Sequence, residues 1–523
     1  MEKKAPFKVL FNNDCTNIES CDSYYSPGTT DPASNMVKEF NAEMLEGSVD
    51  ETADTGIDVH LLAPGLGWIP WWKSNVYPFE EHVKFMKERF NMTTADSGYA
   101  QYMADGGDMV KVFVERCRKK GITPFITFRV NDWHGHDLAV MNPGEIPGWA
   151  WHALSPVHVE HPEWRLGSDI NNMNERVLNW GISEVRESKF AFIKELIENY
   201  DFDGIELDFL RHCNFFNQQQ TNFEQRRKII SGFVKAVRDT LDANSELGRH
   251  RWLAVRIPCH SEKFNELGID VEAMSEAGAD MFNLASFFYT EQQSDMAEIV
   301  KRVPDKAVYL EFTYCTTYKS CGSKYEHVTR RITDEQIYTL AHLAYARGAA
   351  GVSAFNFVYF RPHHNSSIMG PYNEPPFHVF KHLSDSEWLA AQPQHYFIAN
   401  ISTTPYGNKY LPRTVKAGES VRFQIDMVPG KGGWTENGVI RIQAKESMGD
   451  ARWQASANGY ELEETQSRVE PYENPYPHII GTHDELRAWV VQPSQLVDGM
   501  NTIEFSLSGG SETELIYVDI AIK

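Results

Sequence analysis

Phe202-Asp203-Gly204-Ile205-Glu206-Leu207-Asp208-Phe209-Leu210-Arg211 reads as a short, β-prone run that carries two carboxylates two positions apart. Side chains alternate along a strand, so Glu206 and Asp208 project to the same face. An ionised carboxylate in an apolar strand is costly unless something pairs with it or uses it. The carboxyl end of a strand in a (β/α)8 barrel is where such charge has a place. The assignment therefore turns on whether seven further strands accompany this one.

They are present as runs. Phe7–Asn12, Asp58–Ala63, Thr123–Val130, Trp252–Pro258, Asp280–Ser286, Ala307–Thr313 and Ala350–Phe357 are β-rich and alternate with helical patterns. Thr221-x-x-Glu224 and Thr333-x-x-Gln336 form capping boxes, and Gly348 closes the second of these helices. Phe192, Ile193, Leu196, Ile197 and Tyr200 give the helix before the opening run an apolar stripe. Eight βα units in one stretch imply a TIM barrel over residues 1–393. A doubly wound sheet would want a glycine-rich turn after its first strand, and Phe11-Asn12-Asn13-Asp14-Cys15 has none. The surplus over a typical barrel of ~250 residues falls after strands 2 and 3, on the face where barrels keep their chemistry. From residue 394 to 523 the pattern changes to short alternating runs such as Val421–Ile425, Gly438–Gln443 and Thr502–Leu507. These imply a smaller all-β sandwich.

A net charge of −22 argues against nucleic-acid or anionic-membrane partners. No apolar run is long enough to span a bilayer. The chain starts Met1-Glu2-Lys3-Lys4-Ala5-Pro6, without the apolar segment of a signal peptide. The expectation is an exported protein whose leader is absent from this chain, with the cytoplasm as the alternative. Seven cysteines make no disulfide framework, although Cys15 with Cys21 and Cys315 with Cys321 are close enough to pair under oxidation.

Polar residues recur at the expected strand ends. Strand 3 leads into Arg129, Asp132, Trp133, His134 and His136; strand 4 ends in Glu206, Asp208, Arg211 and His212. Strand 5 carries Arg256 and leads to His260 and Glu262, and strands 6, 7 and 8 add Asn283, Glu311 and Asn356. Two carboxylates across a barrel mouth suit glycosidic bond cleavage, one protonating the leaving oxygen and the other acting as nucleophile or base. Asp208 is the expected nucleophile or base. Its acid partner is expected in the order Glu311, Glu262, Glu206, with Glu206 expected to pair with Arg256. Arg211, His134, His260, Asn283, Asn356, Asp132, Trp68 and Trp133 are expected to bind substrate. Eight of the 13 Trp fall in the two long connections, where flat aromatic faces suit a sugar ring, half of them being expected to serve packing alone. No metal or cofactor is assigned.

The segment Gly204–His212 is similar to the strand-4 segment of α-amylase-type barrels, Asp208 standing in the nucleophile position and Glu206 where that family has Arg. It resembles more closely the glycosyl hydrolase-like barrel group, whose strand 4 reads Asp-Gly-Ile-x-x-Asp-x-x-Arg. Val255-Arg256-Ile257-Pro258 and Gly268-Ile269-Asp270-Val271 agree with that group. A chitinase-like D-G-x-D-x-D-x-E matches less well, because Leu210 occupies the acid position. The resemblance implies a carbohydrate-active enzyme with a strand-4 Asp in catalysis and an accessory β-sandwich. The competing expectations are a non-catalytic carbohydrate-binding protein on a degenerate barrel, or a metal-dependent lyase, isomerase or hydrolase using His134, His136 and His260.

Overall fold

The computed structural model describes residues 4–20, 30–31, 36–37, 39–246, 248–287, 289–320, 327–361, 374–401, 407, 410–466, 472 and 483–523. Eight parallel strands close into a barrel in chain order. They are β1 (Val9–Asp14), β2 (Val59–Ala63), β3 (Thr123–Arg129), β4 (Gly204–Asp208), β5 (Trp252–Pro258), β6 (Met281–Ala285), β7 (Ala307–Thr313) and β8 (Gly351–Phe355), the last pairing back onto β1. β4 lies inside the opening run, and each of the other seven lies within two residues of its expected limits.

Alternation sorts the side chains into two environments. Ile205 and Leu207 of β4 pack outward with Ile193 and Leu196 of α1 (Ser183–Asn199) and with Ile230 and Val234 of α2 (Phe223–Ala243). Gly204, Glu206 and Asp208 face inward. The floor of the barrel is apolar, filled by Leu10, Leu61, Phe125, Ala254, Met281 and Tyr309. Gly204 is required there, because a Cβ would stand 2.4 Å from the Phe125 ring. Above the floor the inward positions turn polar, which resolves the two misplaced carboxylates of β4: they belong to the barrel interior, not to the apolar helix layer.

α2 starts one residue later than expected. Asn222 and Gln225 make the reciprocal cap at 3.0 and 2.9 Å, while Thr221 Oγ1 instead donates to the Asn217 carbonyl at 2.9 Å. The Thr333–Gln336 box of α3 (Asp334–Ala346) is present as expected, and Gly348 follows that helix at φ +92°. An antiparallel hairpin, Cys315–Ser320 with His327–Arg331, interrupts the connection between β7 and α3; alternation alone did not reveal it. Cys21 and Cys321 lie outside the described residues, so the two cysteine pairs expected from spacing do too.

The sandwich has two antiparallel sheets. One orders β9 (Gln394–Ala399), β18 (Thr513–Ile522), β12 (Gly438–Ala444), β16 (Leu486–Val491) and β15 (Glu463–Thr465), with β10 (Arg413–Val415) also on β18. The other orders β11 (Ser420–Met427), β17 (Gly499–Gly509), β13 (Arg452–Ala457) and β14 (Tyr460–Glu461). Its core of Phe423, Ile425, Ile440, Trp489, Phe505 and Val518 is separate from that of the barrel. Barrel and sandwich meet through Ile401, which packs into the barrel core, and through buried polar contacts. Gln292, buried after β6, donates to His395 O at 3.0 Å and accepts from Phe397 N at 2.9 Å. Arg347 after α3 holds Asp426 at 2.6 Å and Asp498 at 3.0 Å. Among the described residues no helix is long and apolar enough to cross a membrane.

Candidate active site

Parallel register aligns Arg129, Asp208, Arg256 and Asn283 as Cα partners across β3 to β6, with Thr127 and Glu206 paired one layer deeper. Partners in one register point the same way, so these side chains converge inside the barrel. The Arg256 guanidinium donates through Nε and Nη2 to Glu311 at 2.9 and 2.6 Å, and through Nη1 to Asp208 at 3.1 Å. Asp208 Oδ1 also accepts the backbone N–H groups of Leu210 and Arg211 at 3.0 and 2.9 Å. The turn after β4 is thus folded onto the carboxylate that the strand delivers.

Glu206 takes no bond from Arg256, contrary to the pairing expected from sequence. Asn12 of β1 and Thr127 of β3 donate to its Oε1 at 3.0 and 2.8 Å, and Asn283 of β6 donates to Oε2 at 3.0 Å. The Arg256 guanidinium is instead engaged by Glu311, Asp208 and the Phe287 carbonyl. Asn283 also reaches Glu311 at 3.1 Å, linking the two glutamates. All three carboxylates are at most 2% exposed. Burial pushes Glu206 up to about 7, against the opposing pull of Arg256, and burial raises Glu311 as well. One guanidinium among three carboxylates leaves a surplus of negative charge that a held proton relieves.

A second cluster crowns the barrel on the β1–β3 side. Arg129 donates to Asp14 and, at 2.8 Å, to Asp132. Burial alone would raise Asp14, but the Arg129 and Arg211 guanidiniums outweigh it and hold the carboxyl below its ordinary value. His134 meets Asp132 through its backbone N–H at 2.7 Å and its Nδ1 at 2.6 Å. Trp133 N–H donates to His212 Nδ1 at 3.2 Å, which places the His212 proton on Nε2, and burial holds this imidazole well below its ordinary value. His212, Phe287 and Asn356, each just past a strand end, adopt φ of +58°, +58° and +51°. Such backbone is unusual for bulky residues and is retained at sites that over-determine it. Phe287 is held by Arg256 Nη2, which donates to its carbonyl at 2.8 Å.

The expected site residues therefore divide. Asp208, Glu311, Glu206 and Asn283 form the buried layer, and Arg211, His134, Trp133 and Asp132 surround its mouth. Arg211 lies with its guanidinium 4.5 Å from the Phe287 ring centre, and Trp133 is partly exposed with Arg176 3.7 Å from its ring centre. The donor of Asn283 is taken by protein acceptors and Asn356 Oδ1 by Asn17 at 3.0 Å, so neither is open in the manner expected of a sugar ligand. Trp68 is 2% exposed, lies against Lys189, and donates to Asp132 O at 3.2 Å; it is a packing residue and not an open platform. Of the eight loop tryptophans, Trp68, Trp71, Trp72, Trp151 and Trp180 are buried, and Trp133, Trp149 and Trp164 are partly exposed. Glu262 is exposed in the turn Ser261–Lys263, and His260 is engaged with Glu291 at 2.9 Å.

Asn12, Asp14 and Thr127 were not assigned from sequence, and Arg129, named there at its strand end, was given no role. An alternating reading of β1 and β3 places them on the inward face, and that is the signal that finds them. Two groups offer converging metal donors: Asp132, His134 and His212, and Cys259, His260 and Glu291. The first is tied up by Arg129 and by Trp133 N–H. The His134–His136 pair expected of a strand-end metal site is split, since His136 turns to the Arg176 carbonyl and to His158.

No family model and no curated protein matches the chain. Among solved structures it is similar to a putative alpha-L-fucosidase from Bacteroides thetaiotaomicron, with 11% identity over 98% of this chain and 94% of that one and a TM-score of 0.34. Alpha-L-fucosidase isoenzyme 1 from Paenibacillus thiaminolyticus gives 12%, 96%, 97% and 0.35. An alpha-amylase from Anoxybacillus gives 11%, 97%, 99% and 0.36. At these scores the likeness adds no weight to any reading of the site, and the (β/α)8 barrel stands on its own strand pairing.

Proposed function

We propose that the chain is a glycoside hydrolase acting at the C-terminal mouth of its barrel, with Asp208 as nucleophile or base and Glu311 as acid. The observation that carries this reading is the pair held on one guanidinium. Arg256 bonds Asp208 and Glu311 together, the Leu210 and Arg211 N–H groups fix the Asp208 carboxylate, and burial raises Glu311 and so favours its protonated form. A carboxyl raised by burial beside a second carboxyl is an arrangement that glycosidic cleavage uses, the raised group serving as the acid. Glu206 lies beneath as a third carboxyl, linked to Glu311 through Asn283. His134 and Arg211 at the mouth supply hydrogen-bond donors for a carbohydrate substrate, beside the partly exposed Trp133.

Asp208→Asn and Glu311→Gln are expected to lower kcat by two orders of magnitude or more on whichever aryl glycoside or polysaccharide the wild type cleaves, with the native circular dichroism retained at the assay temperature. Retention of more than roughly a tenth of the activity in Asp208→Asn would remove it from the chemistry. The near-complete burial of all three carboxylates favours one second reading, a saccharide-binding barrel without cleavage. Titration calorimetry showing binding, with chromatography showing intact saccharide, would select that reading instead.

A further inference from the structure

Just past β5, a thiol, an imidazole and a carboxylate converge. The donor atoms of Cys259, His260 and Glu291 all lie within 4.8 Å of one another. Cys259 Sγ is 3.2 Å, and His260 Nε2 2.9 Å, from the same oxygen, Glu291 Oε2. Cys259 is 1% exposed and Glu291 5%, whereas the His260 side chain keeps 17% of its surface open. The backbone holds the group in place: Cys259 N–H donates to Ala285 O at 2.9 Å, and Asp295 N–H to Cys259 O at 3.0 Å. Asp295 Oδ2 is anchored by Ser261 N and Oγ at 2.8 and 2.6 Å, which leaves its Oδ1 4.0 Å from His260 Nδ1.

We propose that Cys259, His260 and Glu291 bind a divalent cation of the zinc class. Thiolate, imidazole and carboxylate are the donors zinc takes, and three protein ligands leave a fourth position for water or substrate. Zinc bonds of about 2.0 Å to nitrogen or oxygen and about 2.3 Å to sulfur give tetrahedral donor–donor edges of roughly 3.3 to 3.5 Å. The spacings of 2.9 and 3.2 Å need widen by only a few tenths of an ångström. On binding, Cys259 releases its thiol proton to solvent and coordinates as thiolate. His260 gives up its Nε2 proton to solvent and coordinates through that nitrogen, while Nδ1 keeps its proton 4.0 Å from Asp295 Oδ1, within reach of a small shift that would orient the ring. The Asp132 cluster lacks these features, because a guanidinium already occupies its carboxylate. The cation would fasten the end of β5 to the β6 connection that carries Phe287, and so steady the carbonyl that Arg256 uses.

The inference is independent of the glycosidase reading and is tested without an activity assay. Full-length protein stripped with a chelator is titrated with zinc against a chromophoric competitor, and separately with cobalt(II). One zinc per chain is expected, together with a near-ultraviolet thiolate-to-cobalt charge-transfer band that Cys259→Ser abolishes. Glu291→Gln is expected to weaken zinc affinity at least tenfold. Substoichiometric binding, cobalt binding without the thiolate band, or unchanged affinity in both variants would each overturn the proposal. Should either variant fail to fold, the wild-type cobalt spectrum decides by itself.

Discussion

Arg256 is the residue on which the buried layer depends. It is fully buried and neutralises parts of two carboxyls while supporting the strained Phe287 backbone. Arg256→Met would leave Asp208 and Glu311 facing each other without a cation. Removing one partner from a buried ion pair costs about 3–5 kcal/mol, so urea unfolding should show a loss of that order. A loss below about 1 kcal/mol would mean that the layer relaxes or takes up a proton at little cost. Glu206 makes a prediction with a definite sign. Its folded-state value, about 7, lies above the ordinary 4.5, so the native state holds a proton that the unfolded chain gives up. Its contribution is therefore neutral below about pH 4.5, becomes destabilising as pH rises, and is complete above about pH 7. The stability difference, Glu206→Gln minus wild type, should grow by about 1–3 kcal/mol between pH 5 and pH 8, measured by denaturant titration at each pH. A difference that does not change with pH would contradict this.

At the scale of single elements, caps and alternation explain most of what forms. The start of α2 tests the point: Asn222→Ala should destabilise by about 1 kcal/mol, because its side chain accepts from Gln225 N–H. Thr221→Ala should cost less, because that hydroxyl contributes a side-chain bond to a loop carbonyl and not the cap. Equal effects in thermal scans would return the cap to Thr221. The one-residue slip between the expected and observed cap has a simple origin: adjacent Thr221 and Asn222 both suit the position, and only backbone geometry selects between them. The loop tryptophans were ambiguous for a related reason. Their clustering was readable, but which rings turn inward depends on partners distant in sequence, such as Phe215 and Phe233 around Trp180.

For the molecule as a whole, buried hydrogen bonds link the barrel to the sandwich alongside an apolar contact, Ile401 packing into the barrel core. Gln292 is the clearest link, engaging Gln336 O, His395 O and Phe397 N while 2% exposed. Gln292→Ala removes its bonds to His395 O and Phe397 N, whereas Gln336 O keeps its helical partner, and buried unsatisfied groups cost about 1–3 kcal/mol each. Calorimetry should show a lowered midpoint or a separation of one transition into two; an unchanged trace would show that the link is dispensable.

Much of this architecture was legible in the chain. Eight alternating runs, the change of pattern near residue 394, and the inward pair Glu206 and Asp208 follow from periodicities of two and 3.6, which are local properties. The assembled site was less so. That Arg256 would bind Asp208 and Glu311, and that Asn12, Thr127 and Asn283 would enclose Glu206, depended on the closure of the barrel. Closure brings β1, 194 residues away from Glu206, across the axis to it. Sequence by itself determined which residues face inward, because alternation is dictated by the backbone of each strand. Only the tertiary structure decided which of those residues meet, because cross-strand register and barrel closure are set by the packing of all eight strands together.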